Sequence, residues 1–184
     1  MKSRKVHQSG DRPAGRKTRR VLTTSLRKMI VGGRYRPGDR LPTREELVSH
    51  FGASKHTVQA ALARLGDEGF VVARTKAGTF VVERPPHLTR YALVFPMSVS
   101  RSIFYEALRA AARGVAARRD IDFIEYDQES DADMARLRAD ARDHLLAGAI
   151  FVHAVNRMWN TPMMTEPGAP KVFIQTSATL PFPD

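Results

Sequence analysis

The sequence of 184 residues contains no cysteine and one tryptophan, and it lacks any uninterrupted apolar run of the roughly 20 residues that a membrane span requires. Without cysteine, disulfide bonds and thiolate metal sites are excluded, and a reducing compartment is favoured. His50 and His56 flank a predicted turn instead of sharing one helical face, so they do not resemble a zinc pair. We therefore expect a cytoplasmic protein with no metal, no cofactor and no membrane contact.

Acidic residues are scarce in the first part of the chain. Residues 1–84 hold 19 of the 30 Lys and Arg but only 7 of the 19 Asp and Glu, a net charge of +12, which leaves −1 for residues 85–184. A positive field confined to one segment favours binding to a polyanion, because cationic side chains release the counterions of nucleic-acid phosphates.

The basic segment begins with residues 1–17, which contain hardly any apolar side chain and predict a flexible basic arm. From Thr18 to about Val31, Leu22 and Leu26 recur at helical spacing, and Gly32 follows. This pattern predicts a first helix that buries one apolar face.

Two further helices are predicted close together. Thr43 is placed to cap a helix that runs to about Phe51, with Glu46 as the partner of a capping box. After a short turn, Ser54 caps a helix over residues 54–65, in which apolar residues recur at i, i+3, i+4 and i+7. Two short helices joined by a tight turn with a glycine form a helix-turn-helix.

A basic hairpin is predicted over residues 70–82, where two β-branched and aromatic runs flank the segment from Arg74 to Gly78. Such a hairpin after a helix-turn-helix is a wing, so residues 18–84 are predicted to be an α+β winged helix-turn-helix domain. Consecutive prolines then indicate a linker over residues 85–90.

The second helix of a helix-turn-helix enters the major groove with its first turns, while neighbouring segments hold phosphates. Lys can donate to guanine, and Gln can pair with adenine. A solvated amphipathic helix is the alternative for this helix alone, but the charge segregation and the wing favour DNA binding. The predicted DNA-binding residues are Arg40, Thr43, Arg44, Ser54, Lys55, His56, Thr57, Gln59, Arg74, Lys76 and Gly78.

These motifs carry a resemblance to a known family. The strings Gly33-Arg-Tyr-Arg-Pro-Gly-Asp-Arg-Leu-Pro-Thr-Arg-Glu-Glu-Leu47, Phe51-Gly-Ala-Ser-Lys-His-Thr-Val-Gln-Ala-Ala-Leu-Ala-Arg-Leu65 and Ala77-Gly-Thr-Phe-Val81 resemble the GntR family of bacterial regulators. The resemblance implies a homodimer that binds a near-palindromic double-stranded operator, with Gly78 approaching the minor groove. It also implies transcription regulation, usually repression, and an association with the nucleoid.

Residues 91–184 alternate predicted strands and helices, which indicates a parallel sheet covered by helices. The segment resembles the start of a LacI/GalR-type effector domain, the periplasmic-binding-protein-like fold, on the strings Tyr91-Ala-Leu-Val-Phe-Pro96, Phe104-Tyr-Glu-Ala-Leu-Arg-Ala-Ala-Ala-Arg-Gly114 and Gly148-Ala-Ile-Phe-Val152. Such domains have two lobes that hold a small molecule, often a sugar, between them. The length predicts one incomplete lobe that serves as a partial effector-binding or oligomerisation domain.

Other interpretations of residues 85–184 stay open. Three serines after the first predicted strand, Ser98, Ser100 and Ser102, are candidate ligand contacts, although loop and cap chemistry explains them as well. An acidic cluster between Asp120 and Asp133 fits a solvated strand and loop better than a metal site. The chain is then either an effector-responsive regulator, a truncated or constitutive one, or a small-molecule-binding module with a basic nucleic-acid-localising tag. No complete catalytic set is visible, so we expect no enzyme.

Overall fold

The computed structural model describes residues 13–96, 103–153 and 168–174, with side chains from residue 18 onward. The chain divides into two compact units, residues 1–83 and residues 84–184. Within the described ranges, no helix has the length and apolar character needed to cross a lipid bilayer.

The first unit contains three helices followed by a hairpin. The elements are α1 (Pro13–Val31), α2 (Arg44–Phe51), α3 (Lys55–Asp67), β1 (Val71–Arg74) and β2 (Gly78–Val81). The predicted first helix, the helix pair and the wing are therefore confirmed, with α3 ending two residues beyond the predicted residue 65. Strands β1 and β2 pair antiparallel, with Val71 opposite Val81 and Arg74 opposite Gly78.

Helix α1 begins earlier than the sequence predicts. Residues 13–17 were expected in the flexible arm, but they are helical. Low apolar content shows that a segment has little to bury, yet it does not prevent helix formation. Proline is well tolerated at the first helical position, because its missing N–H has no partner there in any helix. The arm prediction is wrong for these five residues, and residues 1–12 lie outside the described ranges.

The core of the first unit lies between α1 and α3. Helix α1 contributes the buried Leu22 and Leu26. Helix α3 contributes the apolar face whose i, i+3, i+4, i+7 spacing predicted the helix. The buried apolar residues of α3 are Val58, Ala61, Leu62 and Leu65. Gly52 ends α2 in the left-handed conformation, at φ 58°, and its N–H donates to the carbonyl of Val48. This cap turns the chain sharply enough for α3 to begin three residues later.

The second unit is an α/β layer structure. Its elements are α4 (Pro86–Thr89), β3 (Arg90–Phe95), α5 (Ile103–Arg119), β4 (Asp122–Asp127), α6 (Asp131–Arg142), β5 (Gly148–Phe151) and β6 (Lys171–Phe173). The strands form a sheet in the order β4-β3-β5-β6, and all three pairings are parallel. The predicted parallel sheet is confirmed.

Strand β3 is buried on both faces, which explains its continuous apolar run. Ala92 and Val94 lie in one cluster with Leu137 of α6, whereas Leu93 and Phe95 lie in another with residues of α5. Helices thus cover both faces of the sheet. The three predicted ligand serines at residues 98, 100 and 102 lie outside the described residues.

The predicted linker over residues 85–90 is wrong in part. Pro86–Thr89 form a single helical turn, in which the N–H of Leu88 donates to the carbonyl of Pro85, and Arg90 already belongs to β3. Consecutive prolines are compatible with this turn, because Pro85 is its extended N-cap and Pro86 occupies the first helical position.

Candidate nucleic-acid interface

The first turn of α3 is held by a cap and exposes its polar side chains. The Thr57 N–H donates to Ser54 Oγ at 3.1 Å, and the two hydroxyl oxygens lie 2.9 Å apart in a second hydrogen bond. Lys55, His56 and Gln59 are exposed, and Thr57 is half-buried. Since the opposite face of α3 is in the core, these polar groups point outward together. The structure therefore brings together the five predicted residues of this helix start.

The other six predicted residues line a groove of about 390 Å³. It lies between the N-terminus of α2 and the hairpin, and its lining includes Arg40, Thr43, Arg44, Arg74, Lys76 and Gly78. Among the described residues that line it are four cationic side chains and no carboxylate. A concave surface of one charge sign focuses the field toward a polyanion.

A β-bridge between Arg40 and Phe80, which the sequence did not predict, shapes this groove. The segment 38–41 runs antiparallel to β2: the Leu41 N–H donates to the Thr79 carbonyl at 2.8 Å, and the Val81 N–H donates to the Asp39 carbonyl at 2.8 Å. Arg40 pairs with Phe80 in this register. The loop between α1 and α2 is thereby joined to the wing, and Arg40 is placed at the wing's base.

Gly78 allows Arg40 to approach the wing closely. A Cβ atom at this position would lie 2.8 Å from Arg40 Nε, and Gly78 has φ 112°, a conformation that other residues rarely adopt. Arg74, opposite Gly78 in the hairpin, places its guanidinium 4.6 Å from the centre of the Phe80 ring. Two guanidinium groups are therefore positioned by contacts within the wing.

Replacing Gly78 with alanine should disturb both the wing and Arg40. The strained φ should lower the free energy of unfolding by about 1–2 kcal/mol. The new methyl group should also displace the Arg40 guanidinium. Urea unfolding measures the first effect. The control is Ala77→Gly, which changes one methyl group at the neighbouring, exposed position of the turn. A Gly78→Ala protein as stable as this control would contradict the prediction.

Thr43 is the N-cap of α2, and both its hydroxyl and its backbone N–H form hydrogen bonds within that cap. Its hydroxyl accepts from the Glu46 N–H at 3.3 Å and bonds Glu46 Oε2 at 2.9 Å, while its own N–H donates to the same Oε2 at 2.7 Å. The capping box predicted from the sequence is confirmed. The DNA contact predicted for Thr43 would compete with these bonds, whereas Arg44 beside it is exposed.

These bonds make the cap dependent on pH. Hydrogen bonds from the Thr43 backbone and side chain lower the pKa of Glu46. A carboxylate whose pKa is lowered by folding stabilises the fold above its unfolded pKa and loses that contribution as pH falls through its folded pKa. Glu46→Gln should therefore remove part of the acid sensitivity of unfolding. Thermal unfolding from neutral to acidic pH measures this, and Glu45→Gln, on the same helical turn, is the control. Parallel pH profiles for the two variants would contradict the prediction.

The sequence missed residues that line the groove. Thr75 and Thr79 add hydroxyl groups on the wing side. The position of Thr75 between Arg74 and Lys76 in the basic turn could have indicated that it lines the groove. Nothing in the sequence indicated Thr79, because the alternation of side chains along a strand does not show which face meets the loop between α1 and α2. No group of three or more His, Asp or Glu side chains in the described ranges is arranged to hold a metal ion.

A helix-turn-helix pair followed by a paired hairpin defines the winged helix-turn-helix class, and residues 18–81 have this fold. The same residues match the family model of bacterial regulatory proteins, gntR family. The resemblance inferred from the motifs is thus confirmed for this segment.

Individual relatives agree with the family match. The chain is 36% identical over 98 residues, 51% of its length, to the HTH-type transcriptional regulator TauR of Rhodobacter capsulatus. It is 44% identical over 59 residues, 32% of its length, to the histidine utilization repressor of Klebsiella aerogenes. The matches span 20% and 24% of those two proteins, so the chain covers about a fifth to a quarter of the curated relatives it matches.

Among solved structures, the chain is similar to the crystal structure of AraR(DBD) in complex with operator ORE1. The identity is 29%, the match covers 35% of this chain and 79% of that one, and the TM-score is 0.35.

Proposed function

We propose that this protein is a sequence-specific DNA-binding transcriptional regulator, acting as a repressor in the cytoplasm, and that it is not an enzyme. The observation that carries the proposal is the cationic groove, which lies in the same unit as the exposed first turn of α3. One surface suits phosphates and the other suits base edges. The two relatives named as a transcriptional regulator and a repressor support it.

The experiment is a binding titration of the full chain against duplexes from its own promoter region and against random duplexes of equal length. We expect much tighter binding to one promoter duplex than to random DNA. Four groove cations per copy predict a slope of log K against log salt of roughly −4 per bound copy. Equal affinity for both kinds of duplex would contradict sequence specificity, and a slope near zero would contradict phosphate binding in the groove.

For the second unit we propose a periplasmic-binding-like lobe that serves effector binding or dimerisation. The parallel order β4-β3-β5-β6 with helices on both faces supports this fold. In such sheets ligands bind beyond the carboxyl ends of the strands, and Ser98, Ser100 and Ser102 follow β3 in the sequence. A panel of sugars that changes neither thermal stability nor operator affinity would favour the constitutive alternative instead.

The proposed partner in operator binding is a second copy of this chain. Two-fold symmetric dimers bind half-sites about one helical turn apart, so a near-palindromic operator would be matched by two first units. Sedimentation of the complex with one operator duplex should give two chains per duplex. One chain per duplex at saturation would contradict this proposal.

A further inference from the structure

The first unit has a second concavity, whose described lining residues belong to none of β1, β2 and the turn between them. This cleft, of about 530 Å³, is bounded by α1, the following loop and α2. Leu26, Leu41 and Leu47 lie beneath its floor, but they are only 0–2% exposed and offer a ligand almost no surface. Half-buried Met29 and Phe51 stand at its sides. The size falls within the range of small-molecule sites, which are mostly apolar with a few polar groups.

The rim of the cleft is positively charged. Arg34 and Arg40 are exposed at the rim, and the Arg34 guanidinium lies 6.0 Å from the centre of the Tyr35 ring. Glu46 contributes the one carboxylate among the described lining residues. That carboxylate already accepts two hydrogen bonds from Thr43, at 2.7 and 2.9 Å. Two guanidinium groups and one carboxylate leave the rim with a net positive charge, which favours an anionic ligand.

We propose that this cleft binds a small amphiphilic organic anion, with its apolar body against the half-buried Met29, Tyr35 and Phe51 and its carboxylate or sulfonate at Arg34 and Arg40. The two parts of such a ligand match the two parts of the cleft. A purely apolar ligand would leave the cationic rim unused, and an inorganic anion would leave the apolar side chains of Met29, Tyr35 and Phe51 uncovered.

The cleft and the DNA groove share one wall. Arg40, Leu41, Pro42 and Thr43 line both of them. An anion bound to the Arg40 guanidinium therefore competes with a phosphate for the same donor. Occupancy of the cleft should lower DNA affinity, a consequence that rests on the proposed function.

The test uses the fluorescent anion anilinonaphthalene sulfonate and its uncharged analogue N-phenylnaphthylamine, titrated into the full chain without DNA. We expect one saturable site for the anion and weaker binding of the neutral analogue. Arg34→Glu should weaken anion binding about tenfold, because it reverses one rim charge. Arg138→Glu makes the same charge change at an exposed position of α6 and should leave binding unchanged.

Equal anion affinity in the two variants, both folded by circular dichroism, would overturn the binding site. The anion should also weaken duplex binding by the wild-type chain several-fold, as competition for one cation predicts. An anion that binds in the cleft without changing duplex affinity would overturn the coupling. A chain that binds no duplex at all would instead contradict the proposed function, while the anion titration still decides whether the cleft is a ligand site.

Discussion

Replacing Glu68 with alanine is expected to lower the free energy of unfolding by about 3–5 kcal/mol. Glu68 Oε2 accepts from Arg27 Nη2 at 2.5 Å, and the side chains of Arg27 and Glu68 are only 3% and 11% exposed. Arg27 projects from α1, and Glu68 caps the end of α3. Alanine at position 68 removes this carboxylate from a buried guanidinium, and breaking a buried ion pair costs far more than breaking an exposed one.

The control for this prediction is a substitution of Arg64, the second arginine that binds the Glu68 carboxylate. Arg64 Nε donates to Glu68 Oε1 at 2.8 Å, but its side chain is 57% exposed. Arg64→Ala should cost at most about 1 kcal/mol, as exposed ion pairs do. The double change Arg27→Met with Glu68→Leu should recover most of the loss, because an apolar pair can replace a buried ion pair. Equal losses in Glu68→Ala and Arg64→Ala, measured by urea unfolding, would contradict this account.

The second large effect concerns how DNA is read. Gln59→Ala should reduce discrimination at one base pair by about 1–3 kcal/mol, because an amide that pairs with a base edge carries sequence information. Gln59 is exposed one helical turn beyond Lys55, so the two side chains share a face of α3. The measurement is the affinity for a set of duplexes that each carry one base change.

Lys76→Ala is the matched control for base reading. Lys76 lies at the turn of the wing with φ 60° and lines the cationic groove. Its loss should weaken binding to all duplexes alike and should reduce the salt slope by about 1. If Gln59→Ala and Lys76→Ala had the same pattern across duplexes and salt, the assignment of base and phosphate contacts would be wrong.

The helices and strands were largely predictable because each one buries a face whose spacing is visible in the sequence. The stripe of α3 from Val58 to Leu65 and the continuous run of β3 indicate their elements directly. The capping residues Thr43 and Ser54 fixed the helix starts, since their side chains bond only locally.

Contacts between distant segments were not predictable. The segment 38–41 is held by backbone hydrogen bonds to residues some 40 positions later and contains only one buried apolar side chain, Leu41. Arg27 occupies a buried position of α1 that a pattern of apolar residues assigns to solvent, because its partner Glu68 is 41 residues away. The groove depends on the first of these contacts, so its six predicted residues could be named from the sequence but not placed together.

The pairing of segment 38–41 with β2 limits how the loop between α1 and α2 can change in length. In most proteins such a loop tolerates insertions, because little depends on its path. Here one residue added within segment 38–41 would shift the pairing opposite Phe80 and turn the Arg40 side chain away from its present side. A change of length within segment 38–41 is therefore expected to move Arg40 out of the groove even when every residue that lines the groove is kept.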